Sequence, residues 1–255
     1  MEHIIRIDGD KCIGCKMCIH DCPEANISLI NNKAKILSLD CMKCGHCVAI
    51  CPKKAVSISG YEKDIEEIPD NIKIDPEILL NALKFRRTIR NFKQDKVDDN
   101  ITEKIIEAGK WTPSARNSQD VSYVILRNEM ENVEEIAVGM FNKILPFIRI
   151  FSKSARKIEI DDNFFFKKAP LAILIVSKNK IDGSLAASNM ALMAESNGLG
   201  VLYSGLFSIA ANNSRKIRKK LNIKGKNIVT TLVLGYPNIK YSRGVQKKEP
   251  LVIKK

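Results

Sequence analysis

The chain has 255 residues, of which 45% are hydrophobic and 28% charged, and its formal net charge is +13. This balance excludes disordered and fibrous proteins and suits one large domain, or a large domain with a small one. The longest apolar run, residues 169–176, is far shorter than the roughly 20 residues of a membrane-spanning helix. Charges at Glu2, Arg6, Asp8 and Asp10 interrupt any signal-peptide core, so we predict a cytoplasmic protein with no membrane partner.

All eight cysteines lie in one short region near the start of the chain. They form two C-x2-C-x2-C-x3-C-P runs: Cys12, Cys15, Cys18 and Cys22, then Cys41, Cys44, Cys47 and Cys51. A disulfide framework is typical of small exported proteins. Zinc ribbons need neither the third cysteine of each run nor the proline after the fourth. The spacing therefore favours iron–sulfur clusters over zinc.

Residues 1–59 resemble a two-cluster bacterial ferredoxin over its whole length, with both cysteine motifs intact. Apolar residues repeat with the motifs, so each half is expected to contain a short strand, a cluster loop, a helical turn and a second strand. The resemblance implies two [4Fe-4S] clusters with crossed ligation. One would be bound by Cys12, Cys15, Cys18 and Cys51, and the other by Cys22, Cys41, Cys44 and Cys47.

The remaining chain mixes helices and strands after a charged linker at residues 60–75. Asp75 followed by Pro76 is the pattern of a helix N-cap and its first residue. We expect an apolar helix face at Ile78, Leu79, Ala82 and Leu83, and an α+β domain over residues 76–255. Further predictions are a helix from Asp98 or Asp99, strands at 123–126, 170–176 and 229–234, and a helix at 183–197.

Two features of this part have competing interpretations. The basic run at 215–220 could indicate nucleic-acid binding, but Ile217 and Leu221 give it a buried stripe and no recognition motif accompanies it. We interpret the run as a solvated helix face and expect no nucleic-acid partner. The alanines of helix 183–197 either form a close dimer contact or pack under the chain's own sheet.

Three polar clusters in the second part suit a phosphate and a polar ring. The first contains Arg86, Arg87, Thr88 and Arg90, whose guanidinium forks match phosphate oxygens. The second is the loop 113–119, which offers hydroxyl, amide and backbone groups. The third is the basic tail after the Gly-Tyr-Pro turn at 235–237. The candidate residues in the loop and the tail are Pro113, Ser114, Ala115, Asn117, Arg243, Lys247 and Lys248.

Together with an Ala-Glu-x-x-Gly-Leu-Gly segment at 194–200, these clusters resemble the nitroreductase family of flavoproteins from about Leu83 onward. The resemblance implies an α+β domain with a central sheet flanked by helices, and a homodimer whose FMN contacts both chains. Arg86, Thr88, Arg90 and Lys247 or Lys248 would hold the phosphate side. Ser114 and Asn117 would reach the flavin of the partner subunit. The backbone at Ser204 and Gly205 would face the reactive nitrogen of the flavin.

The sequence departs from the family pattern at several places, including Thr88 where the family has serine and Gln246 in the basic tail. Two other departures concern larger features. Asp120 and Val121 stand where the family commonly has Pro-Trp, so packing beside the flavin is expected to differ. Residues 140–168, which contain six phenylalanines, form the least familiar segment. This segment is interpreted either as a lid over the substrate or as a helical insertion that packs on the dimer partner.

The combination predicts a function. Iron–sulfur clusters pass single electrons, whereas FMN accepts or donates one or two, so fused clusters could load a flavin stepwise. We predict an FMN- and iron–sulfur-dependent reductase of an electron-poor small molecule: a nitroaromatic, quinone, enone or halogenated compound. Its donor would be NAD(P)H or an external ferredoxin or other redox protein, in an anaerobe. The alternative is an electron-transfer flavoprotein that relays electrons between NAD(P)H or ferredoxin and a protein partner.

Overall fold

A computed structural model describes residues 3–38, 40–153 and 155–255. Met1, Glu2 and Leu39, within the predicted ferredoxin-like domain, lie outside the described residues, as does Ser154 in the segment 140–168. The chain divides into two compact units. The first unit comprises residues up to Lys73 together with Ser114–Ser118, and the second comprises Ile74–Pro113 and Gln119–Lys255.

The first unit is built from two similar halves. The strands β1 (Ile5–Ile7) and β4 (Val56–Ile58) pair antiparallel, as do β2 (Ile27–Ile30) and β3 (Lys33–Ile36). The short helices α1 (Met17–His20) and α2 (His46–Ala49) follow the two cysteine loops. Each half therefore has the predicted order of strand, cysteine loop, helical turn and strand. The small core of this unit contains apolar side chains, which alternate along the strands, together with buried cysteines.

A four-stranded sheet forms the centre of the second unit. Its strands are β5 (Ser122–Leu126), β6 (Leu171–Ser177), β7 (Gly200–Tyr203) and β8 (Asn227–Gly235). They are arranged in the order β5-β6-β8-β7, and each neighbouring pair is antiparallel. Every residue of β6 is buried, because alternate side chains enter two separate cores on opposite faces of the sheet.

The described residues of the second unit also form six helices: α3 (Pro76–Phe85), α4 (Asp99–Lys110), α5 (Met130–Phe151), α6 (Lys180–Ser196), α7 (Gly205–Asn213) and α8 (Arg215–Lys220). The predicted N-cap is present at α3, where the Asp75 carboxylate accepts hydrogen bonds from the backbone N–H of Glu77 and Ile78 at 2.9 Å. Within the described ranges, none of the helices has the length and apolarity needed to span a membrane.

The alanines of α6 pack within their own chain. Ala186, Ala187, Ala191 and Ala194 are buried in the single chain, and a Cβ at Gly183 would meet the Val229 side chain at 2.6 Å. Small residues therefore let α6 approach the sheet closely. These four alanines therefore pack in the chain's own core, as the second of the two interpretations expects. A dimer contact of α6 stays a prediction.

The apolar face of α3 is exposed, in contrast to the buried alanines of α6. None of its residues is buried, and the exposed fraction is 68% at Ile78 and 47% at Leu83. The sequence predicted this face correctly as an apolar stripe. Within the part of the chain that the structure describes, however, no element buries it.

The segment 140–168 contributes to the core as well as to the surface. Phe165 and Phe166 are buried and pack against Phe207, with ring centroids 5.8 and 4.5 Å away. At the end of α5, by contrast, Phe147 and Phe151 are exposed. Phe165 and Phe166 therefore anchor the segment in the domain and are not part of a lid.

Glu134 fixes the backbone of this segment from inside the protein. The buried carboxylate accepts hydrogen bonds from the N–H groups of Phe165 and Phe166 at 2.7 and 2.8 Å. Burial raises the pKa of Glu134 above its ordinary value, although the two N–H groups act against the shift. The turn that positions both phenylalanines therefore depends on one buried carboxyl group.

Candidate functional sites

The first unit contains two cavities, each lined by four cysteines. One is lined by Cys12, Cys15, Cys18 and Cys51, and the other by Cys22, Cys41, Cys44 and Cys47. Each set combines three cysteines of one run with the last cysteine of the other, which is the grouping implied by the ferredoxin resemblance. Both cavities have about 370 Å³ of empty space, open solvent included. Four thiols around each cavity supply the ligand set of a four-iron cluster.

Backbone N–H groups point at several of the sulfur atoms. Asn26 N donates to Cys22 Sγ and Ala55 N donates to Cys51 Sγ, both at 3.3 Å and at equivalent positions of the two halves. The N–H groups of Ala34 and Gly14 lower the pKa of the Cys12 thiol, because they stabilise its thiolate. These donors suit sulfur atoms that carry negative charge, as cluster ligands do.

Two other cysteines are buried at equivalent places in the halves. Burial raises the pKa of Cys18, and burial together with the neighbouring Cys44 raises the pKa of Cys47 to about 11. Without a compensating positive charge these two thiols would stay protonated at neutral pH. Metal binding deprotonates thiols, so both positions fit a metal centre that supplies this charge.

The loop Ser114–Ser118 contacts the second cysteine loop. Asn117 Nδ2 donates to Lys43 O at 2.9 Å and to Met42 O at 3.3 Å, and Arg116 Nη2 pairs with Glu24 Oε1 at 2.8 Å. Of the predicted loop residues, Ser114, Ala115 and Asn117 thus belong to the first unit, whereas Pro113 belongs to the second. The contacts to Glu24, Met42 and Lys43 join distant positions, and no sequence pattern signalled them.

The arginine segment of the second unit has buried donors that point at no acceptor. Arg86 Nε donates to Glu195 Oε1 at 2.9 Å, and Arg87 Nη1 donates to the Arg86 carbonyl at 2.7 Å. The Nη2 atoms of Arg86 and Arg87 are buried and have no hydrogen-bond partner among the described residues. Buried polar atoms are normally paired, so these two atoms fit an anion such as a phosphate group.

The same segment runs beside β7. Thr88 pairs with Val201 in parallel, and Ile89 N donates to Val201 O at 3.1 Å. This approach requires a glycine at position 200, where a Cβ would lie 2.6 Å from the Ile89 side chain. The chain then continues from β7 into Ser204 and Gly205 at the start of α7. The structure therefore brings residues 86–90 and the predicted Ser204–Gly205 site together on neighbouring segments.

The surroundings of Ser204 and Gly205 differ from each other. Ser204 is buried, and its N–H donates to Thr231 O at 2.8 Å. Gly205 is exposed, and a Cβ built on it would meet nothing within 4 Å. At the N-terminus of α7 the backbone of Ser204 is therefore fixed by a hydrogen bond, whereas the backbone of Gly205 is accessible. Open N–H groups at a helix start attract negative charge.

The basic tail passes the arginine segment. A Cβ at Gly244 would lie 3.1 Å from the Phe85 ring and 3.8 Å from Arg87 Nη2. Arg243, next to this glycine, is exposed, as are Lys247 and Lys248 and, in the arginine segment, Arg90. The structure thus brings the tail near Arg87, and both lysines follow within four residues of Gly244.

Asp120, which departs from the family pattern, connects two strands. Its carboxylate accepts hydrogen bonds from Ser177 Oγ at 2.7 Å and from Lys178 N at 2.9 Å. Burial acts to raise the pKa of Asp120, but these hydrogen bonds together with the charges of Lys226 and Lys178 hold the pKa below its ordinary value. The side chain therefore ties the start of β5 to the end of β6.

Comparison with known proteins agrees with this architecture. Residues 83–236 match the model of the nitroreductase family, and residues 4–52 match the 4Fe-4S dicluster domain. Proteins from Methanothermobacter thermautotrophicus and Archaeoglobus fulgidus, both provisionally named NADH dehydrogenase/NAD(P)H nitroreductase, are 27% and 25% identical. The alignments cover 65% and 63% of this chain, and 80% and 86% of the two relatives.

Solved structures share the fold. The nitroreductase with bound FMN from Bacteroides fragilis has a TM-score of 0.59 and 19% identity, and covers 69% of this chain and 98% of its own. The nitroreductase with bound FMN from Desulfitobacterium hafniense has a TM-score of 0.57 and 20% identity, and covers 69% of this chain and 97% of its own. At this level of identity the likeness establishes the fold.

Fold and sites define an α+β oxidoreductase with an N-terminal iron–sulfur domain. The chain belongs to the nitroreductase family, whose model covers more than half of it. The family resemblance, the fold class and the enzyme class predicted from the sequence are thereby confirmed.

Proposed function

We propose that this protein uses two [4Fe-4S] clusters and FMN to reduce an electron-poor small molecule. The clusters occupy a domain of residues 1–59, FMN binds to a domain of residues 76–255, and residues 60–75 link the two. One observation carries the proposal: a single chain combines two four-cysteine cavities with an arginine segment whose buried Nη2 atoms have no acceptor among the described residues.

The two cysteine sets would each hold one cluster. Cys12, Cys15, Cys18 and Cys51 form the first cluster site, and Cys22, Cys41, Cys44 and Cys47 form the second. Backbone N–H groups at the sulfurs would stabilise the negative charge of the bound clusters.

The second unit would hold FMN by its phosphate and its ring. The guanidinium groups of Arg86, Arg87 and Arg90 and the Thr88 hydroxyl would bind the phosphate, together with Arg243 and Lys247 or Lys248. Ser204 and Gly205 would orient the ring through the backbone, and Pro113, Ser114, Ala115 and Asn117 would line the flavin of the partner subunit. When bound, FMN supplies electron transfer in steps of one or two, which matches one-electron clusters to a two-electron reduction.

A homodimer is part of the proposal. The apolar face of α3 and the chain terminus at Leu251, Val252 and Ile253 are exposed, with exposed fractions of 88%, 67% and 71% at these three residues. Exposed apolar residues grouped along one helix face and along one chain segment mark candidate interaction surfaces. A second copy of the chain is the proposed partner, and a closed two-fold dimer would bury the same surface twice.

The donor and acceptor follow from the relatives and from the redox centres. Relatives whose names include NAD(P)H make a nicotinamide a candidate donor, with a reduced ferredoxin or other redox protein as the second candidate. The acceptor is proposed to be a nitroaromatic, quinone, enone or halogenated compound.

Stopped-flow spectroscopy of the anaerobic holoprotein tests this function. NADH, NADPH and reduced ferredoxin are each mixed with the oxidised protein, and the flavin absorbance is followed. At least one donor should bleach the flavin rapidly, and a nitroaromatic or quinone should restore the absorbance. Protein that no donor reduces, or that no acceptor in these classes reoxidises, would contradict the proposal.

A further inference from the structure

We propose that Asn117 is a positioning residue that shapes the second cysteine loop and tunes the reduction potential of the cluster held by Cys22, Cys41, Cys44 and Cys47. The inference rests on the proposed function, because it requires clusters in both cysteine cavities. It concerns the chain's own residues around the second cavity: Glu24, Met42, Lys43, Arg116 and Asn117.

The backbone of the second cysteine loop is strained at Lys43. The two cysteine runs are equivalent along the chain, and the residue two positions after the first cysteine is Gly14 in one run and Lys43 in the other. Both have a left-handed backbone, with φ of 68° at Gly14 and 54° at Lys43. Glycine adopts this conformation freely, whereas a residue with a Cβ does so at a cost. The first loop has its own strained residue at Lys16, where φ is 66° and the equivalent residue of the second loop is Gly45. In the second loop the strained residue is Lys43, between Cys41 and Cys44, and its conformation needs support.

Asn117 provides this support. Its Nδ2 donates to the carbonyls of Met42 and Lys43, which lie on the two sides of the strained residue. A second brace comes from Glu24, whose Oε2 accepts from Met42 N at 2.8 Å while its Oε1 pairs with Arg116. Three consecutive peptide groups of the cluster loop, between Cys41 and Cys44, are thus held by side chains that approach from outside it.

One of these contacts connects directly to a ligand sulfur. Met42 O and Lys43 N belong to the same peptide group, and Lys43 N donates to Cys41 Sγ at 3.3 Å. A donor at the carbonyl polarises the peptide and makes its N–H a stronger donor. Hydrogen bonds to cluster sulfurs stabilise the more negative, reduced state. Asn117 therefore favours reduction of the second cluster.

The first cluster site has a different outer contact, which offers a matched control. Lys33 Nζ donates to Cys12 O at 2.6 Å, which places its positive charge beside a ligand of the first cluster. A positive charge at this point should favour reduction of the first cluster. Asn117→Ala and Lys33→Met should therefore shift different clusters.

The test is a potentiometric titration of anaerobically purified holoprotein, followed by electron paramagnetic resonance of the reduced clusters. Asn117→Ala should lower the midpoint of one component, so that its ratio of reduced to oxidised cluster at a fixed potential falls about tenfold. For a one-electron couple this corresponds to about 59 mV. Lys33→Met should lower the other component. Unchanged midpoints in Asn117→Ala, or a shift of the component that Lys33→Met also shifts, would overturn the proposal.

A double variant covers the case in which Asn117→Ala loses its second cluster. Lys43→Gly removes the backbone strain, so Lys43→Gly/Asn117→Ala should retain the cluster, with a midpoint below that of Lys43→Gly alone. Equal midpoints in these two variants, or loss of the cluster again, would overturn the inference. Wild-type protein without about eight iron and eight sulfide per chain would instead contradict the proposed function, so the two failures are distinguishable.

Discussion

Arg86 and Glu195 form a half-buried ion pair, with Arg86 Nε 2.9 Å from Glu195 Oε1. The pair joins the end of α3 to the last turn of α6, and it uses only one edge of the guanidinium group. The remaining buried donor, Nη2, has no partner among the described residues. Glu195 thus orients Arg86 while leaving part of it available to a phosphate group.

The first prediction concerns phosphate recognition. Arg86→Ala or Arg90→Ala should weaken FMN binding by about 1.5 to 3 kcal/mol, the range of a hydrogen bond to a charged group. Riboflavin lacks the phosphate and should bind wild type and variants almost equally, which isothermal titration calorimetry can measure. A variant that loses FMN and riboflavin alike would indicate misfolding and would not support a phosphate contact.

The second prediction uses equivalent cysteines of the two runs. Cys15→Ala and Cys44→Ala each remove one ligand from a different cavity. Each variant should contain about half the iron and acid-labile sulfide of wild type, because one cluster lacks its fourth thiolate. FMN content should not change in Cys15→Ala, because the lining of its cavity contains none of the proposed flavin residues. Unchanged iron in either variant would contradict the ligand sets.

Glu134 gives a prediction about pH. Its folded-state pKa is raised, so its contribution to stability is fully present below the unfolded pKa and is lost as pH rises through the folded pKa. Glu134→Gln keeps an acceptor for Phe165 and Phe166 but cannot ionise. Chemical denaturation at several pH values should show that the variant lacks this loss of stability above about pH 4.5. Glu134→Ala should cost about 1 to 3 kcal/mol, because it leaves buried N–H groups unpaired.

The fourth prediction concerns the exposed face of α3. Leu79→Asp and Leu83→Asp place charges on the surface proposed to meet a second copy, whereas Asn81→Asp adds the same charge to a polar position as a control. Light scattering should give twice the chain mass of 28.6 kDa for wild type and for the control. The two leucine variants should be largely monomeric and should lose FMN. A wild-type monomer with FMN fully bound would contradict the shared site.

Local signals in the sequence were sufficient for much of the fold. The acidic N-cap at Asp75, the apolar run of β6 and the cysteine spacing each depend on neighbouring residues, so they could be read without the structure. The approximate positions of α4, α6, β5 and β8 were predicted for the same reason. Their exact ends differ by a few residues, as expected from fraying and pairing at element ends.

Features that depend on distant residues were missed. The four-residue strand β7 is stabilised by pairing with β8 and with residues 88–89, and its own sequence is too short to predict it. The contact of Asn117 with Lys43 joins positions 74 apart, and the pair of Arg86 and Glu195 joins positions 109 apart. Alanine content could not distinguish packing of α6 under its own sheet from a dimer contact, because small residues serve both.

Analysis of the cofactor content of anaerobically purified protein tests the central claim most directly. The account predicts about eight iron, eight acid-labile sulfide and one FMN per chain, from two four-cysteine sites and one flavin site. Two zinc ions per chain with no acid-labile sulfide, or iron–sulfur clusters without any retained or reconstituted flavin, would contradict it.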